Sequence, residues 1–149
     1  MPRHHHAGLG IAVAFPEGWQ AVSTLDFPLL VLAPETDGYR STLGFSRSQA
    51  PATPEVVQRV LAASRAEQEA DYPGFVEQGL RQRTVGGHPA WVQTYVWQPP
   101  SVPQPFWQWF GLVMTPSHGL VEFNGATLQS LAEPLEEAMF EVLDSVQFV

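Results

Sequence analysis

Along most of this chain apolar and polar positions alternate every second residue, and in two places the period lengthens to that of a helix. Leu9 to Phe15 is an apolar run stopped by Pro16-Glu17-Gly18, a turn in which proline fixes φ and glycine accepts a positive one. Gln20 to Ser23 predicts a short strand, and Leu29 to Ala33 a buried one ended by Glu35-Thr36-Asp37-Gly38. In Ser41 to Arg47, Leu43 and Phe45 alternate with Thr42, Gly44 and Ser46, as in a half-buried strand. Phe75 to Val85 predicts another strand, closed by Gly86-Gly87, which suits a tight hairpin. Beyond the turn Pro116-Ser117-His118-Gly119, Leu120 to Gly125 reads as a strand, and Ser145 to Val149 as a terminal one.

Helical spacing occurs first after Thr53, which caps while Pro54 takes the first helical position and Glu55 the positive end of the dipole. Val56, Val57, Val60, Leu61 and Ser64 form its stripe, which fades beyond Ser64 before Asp71-Tyr72-Pro73-Gly74 breaks the helix. A second helix follows the Ser130 to Glu133 capping-box pattern, with Leu131, Leu135, Met139 and Val142 on one face. Strands, a helix, strands, a helix and a last strand argue an α+β fold, an antiparallel sheet with helices packed on it.

The stretch Ala90 to Thr115 holds all but one of the chain's 5 tryptophans. Two β-prone runs flank the connection Pro99 to Pro105, which neither a helix nor a sheet interior accommodates, so the reading is an antiparallel hairpin. With Gln98 opposite Phe106, Trp97 faces Trp107 and Tyr95 faces Trp109. That register puts Trp91, Tyr95, Trp97, Trp107 and Trp109 on one side and Val92, Val96, Phe110, Leu112 and Met114 on the other. Both sides are apolar, so the hairpin is either central in a sheet covered on both faces or leaves an aromatic face open for a partner.

Composition narrows the function classes. The 149 residues suit one domain with its own core, expected over 9–149 behind a flexible segment 1–8. A net charge of −8, with all 7 basic residues arginine, leaves no basic stripe to neutralise a phosphate backbone, so no nucleic-acid partner is expected. The absence of cysteine removes disulfides, thiol nucleophiles and thiolate metal sites. The apolar stretch behind His4 to His6 is only about seven residues long, short of a signal peptide or a membrane span, and the expected compartment is the cytoplasm.

A first strand ending in F-P-E-G-W, a helix opened by T-P-E, a strand running into G-G-H-P-A-W, a long hairpin and a final helix running into S-V-Q-F resemble the PsbP-like α/β/α sandwich superfamily. The similarity spans nearly the whole chain and rests mainly on the order of elements. That superfamily includes the PsbP subunit of the oxygen-evolving complex, a nuclear-import factor that binds the Ran GTPase, and small bacterial proteins. One bacterial branch consists of dimeric cytosolic chaperones of type VI secretion effectors, which shield apolar segments on a sheet surface. The resemblance implies a non-catalytic binding or assembly role, with a protein or apolar peptide as partner and a homodimer as the working form.

The protein-binding candidates are therefore Trp91, Tyr95, Trp97, Trp107 and Trp109, whose rings give large contact area at little cost in side-chain entropy. Core packing is the competing reading of the same residues. His88 and His118 lie in turns without an H-x-x-x-H or H-E-x-x-H spacing, and there is neither a G-x-S-x-G elbow nor a glycine-rich phosphate loop. No catalytic residue, metal ligand or cofactor is assigned. The alternative is a small-ligand protein or enzyme with a pocket between sheet and helices, using His88 or His118. Glu133, Glu136, Glu137 and Glu141 make an acidic helix face, open to a basic partner or to solvent.

Overall fold

The structure, a computed structural model, describes residues 2–149. The first strands are β1 (Arg3–His6), β2 (Ile11–Ala14), β3 (Gln20–Val22), β4 (Leu29–Leu32) and β5 (Thr42–Ser48), followed by helix α1 (Pro54–Asp71). Then come β6 (Val76–Val85), β7 (His88–Trp97), β8 (Phe106–Thr115), β9 (Gly119–Leu128), a 3-10 turn (Gln129–Leu131), α2 (Ala132–Asp144) and β10 (Gln147–Phe148). Seven strands form one antiparallel sheet in the order β3-β4-β5-β9-β8-β7-β6, and β1-β2-β10 form a smaller one. The α+β class expected from the element order is the observed one.

Each helix packs on one side of the large sheet. On the α2 side, Met139, Val142 and Leu143 of α2 meet Ile11 and Val13 of the small sheet over Leu43, Phe45, Val92, Trp109 and Phe123. On the α1 side, Val57 and Leu61 sit on Tyr95, Phe110, Leu112 and Leu120. Helix α1 starts as its sequence requires, with Thr53 Oγ1 accepting the Val56 N–H at 3.2 Å and Pro54 following. Its inward stripe does not end at Ser64. Gln68 continues it as a buried polar residue, paired with Gln93 of β7 by reciprocal amide hydrogen bonds of 3.0 and 2.8 Å.

Three local expectations are corrected. Within the segment 1–8, expected to be flexible, Arg3–His6 pairs with β2 across its full length, and His6 Nδ1 accepts the Leu9 N–H at 3.0 Å. The Ser130 to Glu133 capping box does not form. Pro105 O takes the Gln129 N–H at 2.9 Å and Gln104 Oε1 takes that of Ser130 at 3.1 Å, so the proline-rich loop holds this turn and α2 opens at Ala132 without a side-chain cap.

The third correction is the hairpin register. β7 and β8 close at Trp97 opposite Phe106, with Tyr95 opposite Gln108 and Thr94 opposite Trp109. Gln98 is withdrawn from the ladder because its N–H donates to Pro73 O at 2.8 Å and its side-chain amide donates to Pro99 O and Val102 O. A slip of one residue exchanges faces for an entire strand. Trp91, Tyr95 and Trp97 consequently lie on the α1 side, and Trp107 and Trp109 on the α2 side.

Gly86 and Gly87, with φ of 59° and 83°, make the two-residue turn between β6 and β7 that their sequence announces. At Gly111 the requirement is steric. A Cβ there would stand 1.9 Å from the Phe123 ring, which lies across this glycine, whereas at Gly79 it would meet nothing within 4 Å. Gly111→Ala should therefore lose about 3 kcal/mol through overpacking, and Gly79→Ala should stay within about 0.5 kcal/mol of the parent, both read from urea unfolding.

Candidate functional site

Cross-strand rows define what each side of the large sheet presents. On the α2 side, Leu29, Phe45, Phe123, Gly111 and Val92 stand abreast, and so do Ala21, Val31, Leu43, Gly125 and Trp109. These residues are buried apart from Ala21, which is half-buried. Trp109 has no exposed surface, and its indole N–H donates to Glu136 Oε2 at 3.1 Å. Glu136 also receives Arg81 at 3.7 Å, while Glu133, Glu137 and Glu141 of the acidic helix are exposed. Trp107 is half-buried and edge-on to Trp109 with ring centres 6.5 Å apart. This side is a core.

The α1 side is covered over part of its width. The sheet residues beneath α1 come from β7, β8 and the start of β9. One row runs Val22, Leu30, Gly44, Asn124 and Phe110 to Gln93, and the next runs Gln20, Leu32, Thr42, Ala126 and Gln108 to Tyr95. At the β7 end these rows are buried under the helix. Toward β3 they emerge: Leu30, Leu32, Thr42, Asn124, Ala126 and Gln108 are half-buried, and Val22 is 40% exposed. Phe27 of the β3–β4 turn lies over Gly44, where a Cβ would stand 2.6 Å from its ring, so the open area has a ring on its floor.

Aromatic residues wall one end. Tyr72, at the end of α1, stacks on Trp97 with centres 4.2 Å apart and planes 18° apart. Trp97 meets Phe106 edge-on at 6.1 Å, and Phe106 meets Tyr39 at 5.5 Å. The Trp97 indole N–H donates to Gln108 Oε1, which fixes the ring. Such contacts add about 0.5–1.5 kcal/mol per pair beyond area burial, and they hold the wall rigid. Of the five hairpin aromatics, Trp91 and Trp97 are half-buried on this side and Tyr95 is buried beneath α1. Burial raises the Tyr95 phenol well above its ordinary range, with Tyr72 adding to the effect, so it stays neutral.

Glu122 was not a candidate in the sequence, because nothing local marks it. It stands in the row Ser46, Glu122, Leu112 and Trp91, half-buried on the α1 side. Desolvation raises its carboxyl above the ordinary range, opposed in part by a hydrogen bond with Ser46. Its neighbours in that row are apolar, aromatic and hydroxyl side chains, whereas Glu77, the acid at the β6 edge of the same side, is paired with Arg65.

The histidines do other work. His118 places Nε2 2.9 Å from Val149 O and Nδ1 2.6 Å from Ser117 Oγ, and the His88 and His118 rings each lie 5.4 Å from that of Phe148. They clasp β10. Among the described residues no group of three or more His, Asp or Glu converges as metal ligands would. A cleft between sheet and helix, lined by Trp19, Ala33, Leu131 and Leu135, measures about 240 Å³, and an open one lined by His88, Pro89 and Trp91 measures about 390 Å³. No helix of the described residues is long and apolar enough to cross a membrane.

The sequence matches no family model and no curated protein. Solved structures do match in fold. LpqN of Mycobacterium tuberculosis, described as involved in cell envelope biogenesis, superposes with a TM-score of 0.72 at 17% identity, over 98% of this chain and 88% of its own. Cyanobacterial PsbP from Synechocystis sp. PCC 6803 gives 0.62 at 12% identity, over 99% and 92%. The Ran-binding protein Mog1p of Saccharomyces cerevisiae gives 0.60 at 11% identity, over 99% and 95%. The fold is that of the PsbP-like α/β/α sandwiches.

A carboxyl raised by folding stabilises the folded state below the unfolded pKa, and that contribution is lost as pH rises through the folded value. Glu122→Gln keeps the acceptor for Ser46 and removes the charge. Its melting temperature should exceed the parent's at about pH 7 and converge with it toward pH 4, on the acid side of the ordinary carboxylate range. An equal gap at both pH values in differential scanning calorimetry would show that the carboxyl does not titrate as placed.

Proposed function

We propose that this protein is a non-enzymatic binding or assembly protein that holds an apolar segment of another protein on the uncovered part of the α1 side of its sheet. One observation carries the reading: α1 lies to one side, so Val22, Leu30 and Leu32 of β3 and β4, with Thr42, Asn124 and Ala126 of β5 and β9 beside them, stay partly open. An unsealed apolar area with a polar rim is a surface for another protein more often than a site for chemistry. Leu30, Leu32 and Val22 supply the contact, and Trp97, Phe106 and Tyr39 form a preorganised wall. Thr42, Asn124 and Gln108 offer hydrogen bonds to a segment whose backbone is not fully paired. Of the five hairpin aromatics Trp97 borders this surface, while Trp91 and Tyr95 pack beneath α1 and Trp107 and Trp109 on the other side.

The Ran-binding activity named for Mog1p supports the reading to the extent that a chain of this fold binds a protein. A chaperone or adaptor holding an apolar segment in the cytoplasm is the specific form that fits this surface. Titration with a synthetic apolar peptide the length of a membrane span tests it. Binding should be saturable by calorimetry, and Leu32→Glu should weaken it at least tenfold, about 1.4 kcal/mol, with circular dichroism unchanged. Equal affinity in the Leu32→Glu variant would remove the surface from consideration.

A further inference from the structure

Glu77, Glu122 and Glu136 each stand partly withdrawn from solvent against the large sheet. Two of them are answered by the protein itself. Glu77 has Arg65 at 2.8 Å and the Gln93 amide at 3.1 Å, and Glu136 has Arg81 at 3.7 Å and the Trp109 indole N–H at 3.1 Å. Glu122 has no ion pair among the described residues, and Ser46 is its hydrogen-bond partner. A carboxylate partly stripped of water with no cation beside it costs the folded protein stability, which makes it a candidate for a role outside folding.

Its position joins it to the open surface. Along the α1 side of β9, Leu120 is buried beneath the helix, Glu122 follows, and Asn124 and Ala126 lie in the open area. Leu112, beside Glu122 in β8, is also under α1. Glu122 thus stands on the seam where the helix's cover ends. The arginines are engaged elsewhere: Arg65, Arg81 and Arg83 with acids, and Arg3, Arg40 and Arg47 with the backbone carbonyls of Ser145, Ala33 and Leu9. Arg59, two positions from each of Val57 and Leu61, is on the outer face of α1. At the aromatic wall the nearby charge is negative as well, since burial, and then the carboxylates of Glu67 and Asp71, raise the phenol of Tyr72, whose ring stacks on Trp97.

Taking the open α1 side as the binding surface, we propose that the segment held there carries a lysine or arginine among its apolar residues, and that Glu122 receives this cation at the seam. Closing a guest over the area removes further water from Glu122. A cation on the guest offsets that loss through an ion pair stronger here than at a fully exposed position. A guest with apolar side chains alone leaves the carboxylate covered and unanswered. Glu122 therefore selects in both directions, favouring one guest and disfavouring the other. The net charge of −8 draws the same guest in from a distance.

Calorimetric titration of the full chain with two synthetic peptides of one apolar sequence, differing only in a central lysine or norleucine, separates the chemistry of the guest from the surface that holds it. The lysine peptide should bind about tenfold more tightly or better. Glu122→Gln, with unchanged circular dichroism, should bring the two affinities to within about twofold of each other. Glu137→Gln, which removes a charge from the exposed face of α2, should leave the preference as it is in the parent. Equal affinity of the parent for both peptides, a preference that survives in Glu122→Gln, or one lost equally in Glu137→Gln would overturn the inference and leave the surface standing. Binding of neither peptide would remove the surface and the inference together.

Discussion

The pairing of Trp97 with Phe106 is the constraint from which the rest of this structure follows. It fixes the register of the tryptophan-rich hairpin, and the register decides which side of the sheet receives each aromatic ring. One residue either way would put Trp109 on the α1 side, away from Glu136 and opposite Gln93 or Tyr95. What enforces the register lies outside the ladder. The Gln98 backbone is claimed by Pro73 and its side chain by the proline-rich loop, so the strand cannot extend by one more pair. Proline in the connection cannot donate to a sheet, and the loop instead spends its acceptors on the turn before α2.

The two sides of the sheet differ in how they are completed. The α2 side is sealed by apolar contact between three elements, and it tolerates glycine only where a ring or sulfur fills the vacated space, as Phe123 does over Gly111 and Met139 over Gly125. The α1 side is fastened partly by polar groups: Gln68 and Gln93 to each other, Gln93 to Glu77 at 3.1 Å, and Glu77 to Arg65 at 2.8 Å. Losing one member of a buried amide pair leaves the other unsatisfied, at a cost of about 1–3 kcal/mol. Such a fastening fixes where α1 lies more strictly than apolar packing would, because the amides match at one position only.

Much of this was legible in the sequence where the signal is local. Thr53-Pro54, Gly86-Gly87 and the alternation through Leu43 and Phe45 each contain their own physical instruction, and the structure follows them. The order of elements was enough to identify the fold. The hairpin register was not legible, because apolar residues on both faces remove the alternation that would have set it and because Pro73, the partner of Gln98, is distant in sequence. Ser130 carried a genuine capping pattern that a distant loop outcompeted. The stripe fades beyond Ser64 in the sequence because a buried glutamine such as Gln68 has no hydrophobic signature, and Glu122 reads as any strand carboxylate without its neighbours in β5 and β8. Legibility failed where the deciding contact was long-range.

The off-centre seat of α1 leaves the two halves of its side unequally braced. β7 and β8 are held by a helix as well as by their ladders, whereas β3 and β4 are held on that side by their ladders and by Phe27 over Gly44. Local opening of the sheet should therefore begin at the β3 end, and amide exchange there should outpace exchange in the hairpin beneath α1.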